Sequence, residues 1–300
     1  MTFNFDAIVT EQPNPATVGI DSRSTADILR LMNDEDKTVA FAIEKELPAI
    51  AAAVDAVVSA MKTGGRLIYI GAGTSGRLGV LDAAECPPTF GTDPKLVVGV
   101  IAGGESALVR PAEGVEDDAG AAVGQLRQID LSAADVLVGI AASGRTPYVL
   151  AALEYANALG AFTVAVTSVP GSAVAGAARV AITPVVGPEV IAGSTRLKAG
   201  TAAKMVLNML TTAAMVRLGK VYGNRMVDLK PTNVKLWERA KRIVAEAAGV
   251  SKEDAEDALN RCGRSAKTAI VMLKTGCAAD DAERRLQAAD GFVSKAIGNP

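Results

Sequence analysis

The chain has 300 residues and no histidine. That absence excludes Ser-His-Asp and Cys-His nucleophiles. It also removes the commonest ligands of zinc and iron. Acid–base work near neutral pH then falls to Glu, Asp, Lys, Tyr or Cys. Two carboxylates stand out. Glu85 sits in Leu81-Asp-Ala-Ala-Glu-Cys-Pro-Pro-Thr89, among apolar residues and just before a pair of prolines expected to stop the helix after Cys86. Burial there would raise its pKa and suit it to general acid work. Glu116 sits in Pro111-Ala-Glu-Gly-Val-Glu-Asp-Asp118, where Glu113, Asp117 and Asp118 read first as a solvated helix face. Spacing alone leaves Glu85 open between a solvated charge and an acid, and gives Glu116 the weaker claim.

Hydroxyls beside glycine form the second chemical pattern. Ile70-Gly-Ala-Gly-Thr-Ser-Gly-Arg77 and Ile140-Ala-Ala-Ser-Gly-Arg145 each follow an apolar run, and Ala192-Gly-Ser-Thr-Arg196 is a third variant. A loop entering a helix presents free N–H groups and the positive end of the helix dipole. Glycine lets an anion approach the backbone, and Ser or Thr adds donors. Thr74, Ser75, Gly76, Ser143, Gly144, Arg145, Thr146 and Ser194 are therefore candidate phosphate ligands. Arg77 and Arg145 could equally make structural ion pairs. One such loop is ordinarily structural, because every strand-to-helix turn needs glycine and a cap. Two on parallel strands favour a ligand, since strand carboxyl ends share one edge.

Rival motifs fit less well. Gly71-Ala-Gly73-Thr-Ser-Gly76 matches GxGxxG, but no acid stands where a dinucleotide site wants one: Asp93 precedes the second apolar run and Glu105 comes late. The P-loop frame lacks its Lys and Ser/Thr, because Arg77-Leu78 follows Gly76.

The elements that must position these residues can be read from periodicity. Residues 22–62 are helical, with Ser24 or Thr25 as a cap, Asn33–Asp36 as a separator and Gly64-Gly65 as the stop. Strands are expected at Arg66–Ile70, Leu96–Ile101, Asp135–Ile140, Phe162–Thr167 and Val180–Thr183. Helices are expected at Arg77–Ala84, at Pro147–Leu159 behind a Thr146 cap, and at Thr201–Leu218. Buried strands alternating with helices argue for a parallel sheet covered on both faces. Beyond Val250 only helical patterns remain, with a Ser251/Asp254 cap, Gly276 as a stop and Asp280–Ala289 as a further helix. We read residues 1–245 as an α/β domain, 246–300 as a small helical, UBA-like domain, and Lys230–Arg242 as the linker region.

Composition bounds the partners. A net charge of −2 gives no basic surface for nucleic acid. Cys86, Cys262 and Cys277 show no pairing pattern, which fits a reducing compartment, hence the cytoplasm. The first ten residues carry Asp6 and no positive segment, so no secretory leader is expected. The longest apolar stretch, Ala199–Leu218, is interrupted by Lys204, Asn208 and Arg217 and reads as an interface helix rather than a membrane span.

At this point a resemblance becomes specific. Gly71–Gly91, Asn33–Thr38, Gly139–Tyr148, Gly193–Ala202 and Met226–Leu236 resemble the N-acetylmuramic acid 6-phosphate etherase family, from about residue 10 to the end. The resemblance implies a sugar isomerase (SIS) fold: a flavodoxin-like three-layer sheet with a small C-terminal helical bundle. It implies cleavage of a D-lactyl ether by elimination and then hydration, with no metal or organic cofactor, in cell-wall recycling. By similarity Glu85 protonates the departing ether oxygen and Glu116 takes the C2 proton. It further implies a homodimer. Two readings stay beside it: a non-catalytic sugar-phosphate regulator, as glucokinase regulatory protein resembles this family, and an aldose–ketose isomerase.

Overall fold

A computed structural model of the chain describes residues 9–229, 231 and 233–298. The leader reading of the first ten residues lies almost wholly outside them, as do Lys230 and Thr232. The chain forms two compact units.

The larger unit spans Met1–Ala84 and Lys95–Thr211. It opens with α1 (Thr25–Glu44) and α2 (Leu47–Lys62). An alternation follows: β1 (Leu67–Gly71), α3 (Gly73–Phe90), β2 (Val97–Ile101), α4 (Ser106–Val109), α5 (Ala119–Gln128), β3 (Val136–Ile140), α6 (Pro147–Leu159), β4 (Phe162–Val166), α7 (Ala173–Ala177), β5 (Val180–Ile182) and α8 (Lys198–Arg217). Among the described residues β1–β5 form a parallel sheet in the order β2-β1-β3-β4-β5. Leu67 pairs with both Val97 and Val136, so β1 and β3 lie side by side where the winding reverses. The strands are apolar throughout because both faces are covered. Ile68, Ile70 and Leu137 pack with Tyr148 and Leu153 of α6 and Leu126 of α5. On the opposite pleat Tyr69 meets α3, where a β-carbon at Gly79 would lie 2.8 Å from its own.

The strands fall within a residue of their expected bounds. Three helical readings differ. Asn33–Asp36 does not interrupt α1, which runs unbroken behind the Ser24 cap. The acidic run stays helical because its members have partners. Glu35 accepts from Asn14 Nδ2 at 2.9 Å and from Lys198 Nζ at 2.5 Å, and Asp34 pairs with Lys37. Secondly, α3 starts at Gly73, not Arg77, and continues through Pro87 and Pro88 to Phe90. The prolines remove two donors but fix a φ the helix already uses. The stop comes at Gly91, with φ +63° and its N–H bonded to Pro87 O. Thirdly, Val234–Arg242, expected as linker, lies inside a helix.

The smaller unit comprises Glu85–Pro94 and Thr212–Pro300. A short antiparallel pair, β6 (Val221–Tyr222) and β7 (Arg225–Met226), precedes α9 (Val234–Ala248), α10 (Lys252–Arg261), α11 (Ala266–Thr275), α12 (Ala279–Ala288) and α13 (Val293–Ala296). Val244, Leu259, Ile270, Leu286 and Val293 share its core. The Lys230–Arg242 stretch looked like linker because it is rich in charge, but Lys235, Glu238 and Arg242 are the exposed face of a helix whose Ala240, Ile243 and Val244 turn inward at helical spacing. Ser251 accepts from Asp254 N at 3.0 Å and Gly276 ends α11 with φ +70°, as their sequence positions imply.

Candidate active site

A narrow cleft of about 10 Å³ opens at the carboxyl ends of β1, β3 and β4. Ser75, Ala142, Thr167, Ser168, Thr195 and Gly200 are among its lining residues. This is the switch point of the sheet, where chains running opposite ways from β1 and β3 part and leave a crevice. Each wall has a local cause. Gly71 ends β1, and a β-carbon at Gly76 would lie 2.5 Å from Gly71 O and 2.7 Å from Ile101 Cγ1. Only glycine lets the first turn of α3 close so tightly on the strand, which brings Ser75 to the cleft. Gly144 holds φ +67°, and a β-carbon there would lie 2.2 Å from Ser172 Oγ. The β3–α6 loop therefore folds down onto β4 and the start of α7.

The sequence-predicted ligands divide. Ser75 lines the cleft, and Thr74 borders Gly200 of α8, its Cγ2 3.5 Å from where a β-carbon would be. Gly76 and Gly144 are buried and serve the turns. Thr146 caps α6 with Pro147 at the first helical position, though its side chain makes no capping bond. Ser143, Arg145 and Ser194 are half-buried in the loops before α6 and α8 and do not line the cleft. Arg77 donates to Leu108 O at 3.0 Å and Arg110 O at 3.4 Å, which ties α3 to the end of α4.

Thr167, Ser168 and Thr195 also line the cleft; the first two escaped the expectation from sequence, and Thr195 sits in the Ala192–Arg196 loop where Ser194 was named instead. Thr167 and Ser168 directly follow β4, so their place after an apolar run was the available signal. The Thr167 hydroxyl donates to Ala142 O at 3.2 Å. Those of Thr74, Ser75, Ser143, Ser168, Ser194 and Thr195 have no hydrogen-bond partner among the described residues.

The carboxylates also separate by commitment. Glu189 is fully buried, and its oxygens accept from Lys198 N at 2.8 Å and Ala199 N at 3.0 Å at the start of α8. Burial pushes its carboxyl up, against the pull of those two N–H groups. Asp82 of α3 is buried too. It accepts from Tyr69 Oη at 2.9 Å and Thr211 Oγ1 at 3.2 Å, and burial likewise raises it. Asp118, expected on a solvated face, is exposed and also caps α5 by accepting from Ala121 N at 2.9 Å. Glu85 and Glu116 are different. Both are exposed, Glu85 on α3 ahead of Pro87 and Glu116 in the 3-10 turn Val115–Asp117. Neither has a hydrogen-bond or ion-pair partner among the described residues. The burial expected of Glu85 is thus not found: the apolar neighbours in its sequence, Ala83 and Cys86, face inward while Glu85 turns out.

The cleft offers an anion a helix N-terminus and unpartnered hydroxyls. The chain matches the glucokinase regulatory protein N-terminal SIS domain over residues 49–157, the SIS domain over 117–213 and the C-terminal lid domain of glucokinase regulatory protein over 223–267. Among solved structures, phosphoheptose isomerase from Neisseria gonorrhoeae superposes with a TM-score of 0.50 and 18% identity, covering 63% of this chain and 98% of that one, a likeness of fold. N-acetylmuramic acid 6-phosphate etherase of Vibrio vulnificus is 54% identical over 100% of both chains. The enzymes of that name from Serratia proteamaculans and Escherichia coli are each 56% identical, over 98% and 97% of this chain and 99% and 98% of theirs. With identity of that order from end to end, the chain belongs to the N-acetylmuramic acid 6-phosphate etherase family.

Proposed function

We propose that this chain cleaves the D-lactyl ether at C3 of N-acetylmuramic acid 6-phosphate, giving N-acetylglucosamine 6-phosphate and D-lactate. The observation that carries the reading is end-to-end identity with etherases in a chain that leaves Glu85 and Glu116 exposed and unbonded.

The chemistry follows from the sugar. In the open-chain form C2–H lies beside the C1 aldehyde, which acidifies it, and C3 carries the leaving group. Glu116 as carboxylate takes the C2 proton, a C2–C3 double bond forms, and the C3–O bond breaks. An alkoxide leaves poorly, so Glu85 as carboxylic acid gives its proton to the departing oxygen. Water then adds, its hydroxyl to C3 and a proton to C2, and the two carboxyls return to their starting states. The 6-phosphate docks on the first turn of α3 at Thr74, Ser75 and Gly76, with Ser143, Gly144, Arg145, Thr146 and Ser194 completing its surroundings. Binding at this remote group positions C2 and C3 without taking part in bond breaking. The reaction belongs to peptidoglycan recycling in the cytoplasm, carried out by a homodimer. In keeping with that setting, no helix among the described residues is long and apolar enough to cross a membrane.

The test is D-lactate release from N-acetylmuramic acid 6-phosphate. Glu85→Gln should lower it by about 10²-fold or more, the usual contribution of a general acid, while binding of N-acetylglucosamine 6-phosphate is kept. Full activity in that variant would overturn the acid assignment. Binding without any lactate release by the native chain would point instead to a sugar-phosphate regulator, and a ketose product to an isomerase.

A further inference from the structure

Lys204 lies on the stripe of α8 that faces α3. One turn before it, Gly200 borders Thr74. Two turns after it, Thr211 bonds Asp82. Between these, Asn208 links the two helices. With its amide turned to satisfy both neighbours, it donates to Asp82 Oδ1 at 3.1 Å and accepts from Lys204 Nζ at 2.7 Å. Asp82 is itself fixed by Tyr69 Oη through its other oxygen. Lys204 and Asn208 are exposed, whereas Asp82 is buried.

A surface ammonium is therefore oriented, through an amide, by a carboxylate inside the fold. Burying a carboxylate is costly, and a surface lysine otherwise keeps its rotamer freedom. Asn208 engages one of three ammonium protons and leaves the others for an outside acceptor. The neighbourhood says which acceptor. Ala199, Gly200 and Ala203, in the turn before Lys204, line the cleft whose free hydroxyls suit one anion. Lys204 comes after that cleft and leans toward Asp82. Glu85 follows Asp82 by three residues on α3, and residues at that spacing are neighbours on a helix surface. An acid serving the ether oxygen and a cation serving the carboxylate attached one carbon away must lie close together.

We propose that Lys204 binds the carboxylate of the substrate's lactyl group, with Asn208 and Asp82 as its positioning residues. This rests on the etherase reading, because that substrate carries a second anion besides its phosphate. As the ether breaks and its oxygen takes the Glu85 proton, the same contact holds the one remaining charge of the departing lactate, its carboxylate.

Binding calorimetry in a Glu85→Gln background, where nothing turns over, tests it. Adding Lys204→Met should weaken N-acetylmuramic acid 6-phosphate about tenfold or more, the weight of one charge-assisted hydrogen bond. N-acetylglucosamine 6-phosphate, which has no lactyl group, should keep its affinity within about twofold. In the active enzyme Asn208→Ala leaves the charge but releases the ammonium, and should raise KM for lactate release with kcat kept. Equal losses for both ligands, or no loss for either, would overturn the assignment. If the native chain releases no D-lactate, the etherase reading falls and this inference with it; if it does and the two affinities move together, only Lys204 is misassigned.

Discussion

Asp135 shows what a committed acid looks like in this chain. It is buried where β3 begins and accepts from Arg66 N, Nε and Nη2 and from Ser132 N, at 2.9–3.1 Å. Burial pushes its carboxyl up, but the Arg66 side chain and the Ser132 N–H outweigh it and hold the group below its ordinary value of 3.8. A lowered carboxylate stabilises the fold at pH above that ordinary value and loses its contribution as pH falls through the folded one. Asp135→Asn should therefore cost about 2–3 kcal/mol at pH 7, with the gap to the native chain closing below about pH 4 in urea melts. Glu85 and Glu116 have no such bonds, and that contrast was not legible in sequence. All three acids stand beside apolar residues, and only the helix phase of α3 turns Cys86 in and Glu85 out.

At the scale of elements, glycine decides where the cleft can form. The strands were legible because each is a short apolar run between turn residues, and Thr146-Pro147 marked the start of α6. The start of α3 was not, since Gly71–Gly76 reads equally as a loop. Its compaction into a helical turn depends on contact with Ile101, which comes from the next strand. Ser168 was missed for the same reason: nothing near it in sequence announces the crevice between β1 and β3, whereas Thr195 lies in the third glycine–hydroxyl loop, where its neighbour Ser194 was chosen instead. Gly144→Ala tests this scale. A methyl at φ +67° collides with Ser172 and Thr167. We expect a loss of about 2–3 kcal/mol in stability and weaker binding of sugar phosphates, read by thermal melts and calorimetry; unchanged affinity would show that the β3–α6 loop takes no part in docking.

At the scale of the molecule, a single ion pair joins segments 163 residues apart. Lys198 is 2% exposed and reaches Glu35 in the middle of α1, while Asn14 bonds both Glu35 and Pro188 O. Two of the segments that carried the family resemblance, Asn33–Thr38 and Gly193–Ala202, thus meet through structure rather than chemistry. Removing one partner of a buried pair leaves an uncompensated charge, so Lys198→Met should cost about 3–5 kcal/mol. Combining it with Glu35→Leu should recover much of that loss in a denaturation-based double-mutant cycle; additive losses would mean the pair contributes no coupling.

The buried Glu189 at the start of α8 has a consequence for which way round a substrate can lie. Its oxygens take the N–H groups of Lys198 and Ala199, while those of Gly200 and Thr201 bond to Thr195 O and Leu197 O. One of the two long helices flanking the cleft thus arrives with its positive pole already quenched by the protein's own charge. A visiting phosphate is offered a polarity as well as a shape, because α8 gives it no vacant backbone donor. Fully shielded charges are little affected by salt, so this quenching of the α8 pole persists at any ionic strength at which the fold itself survives.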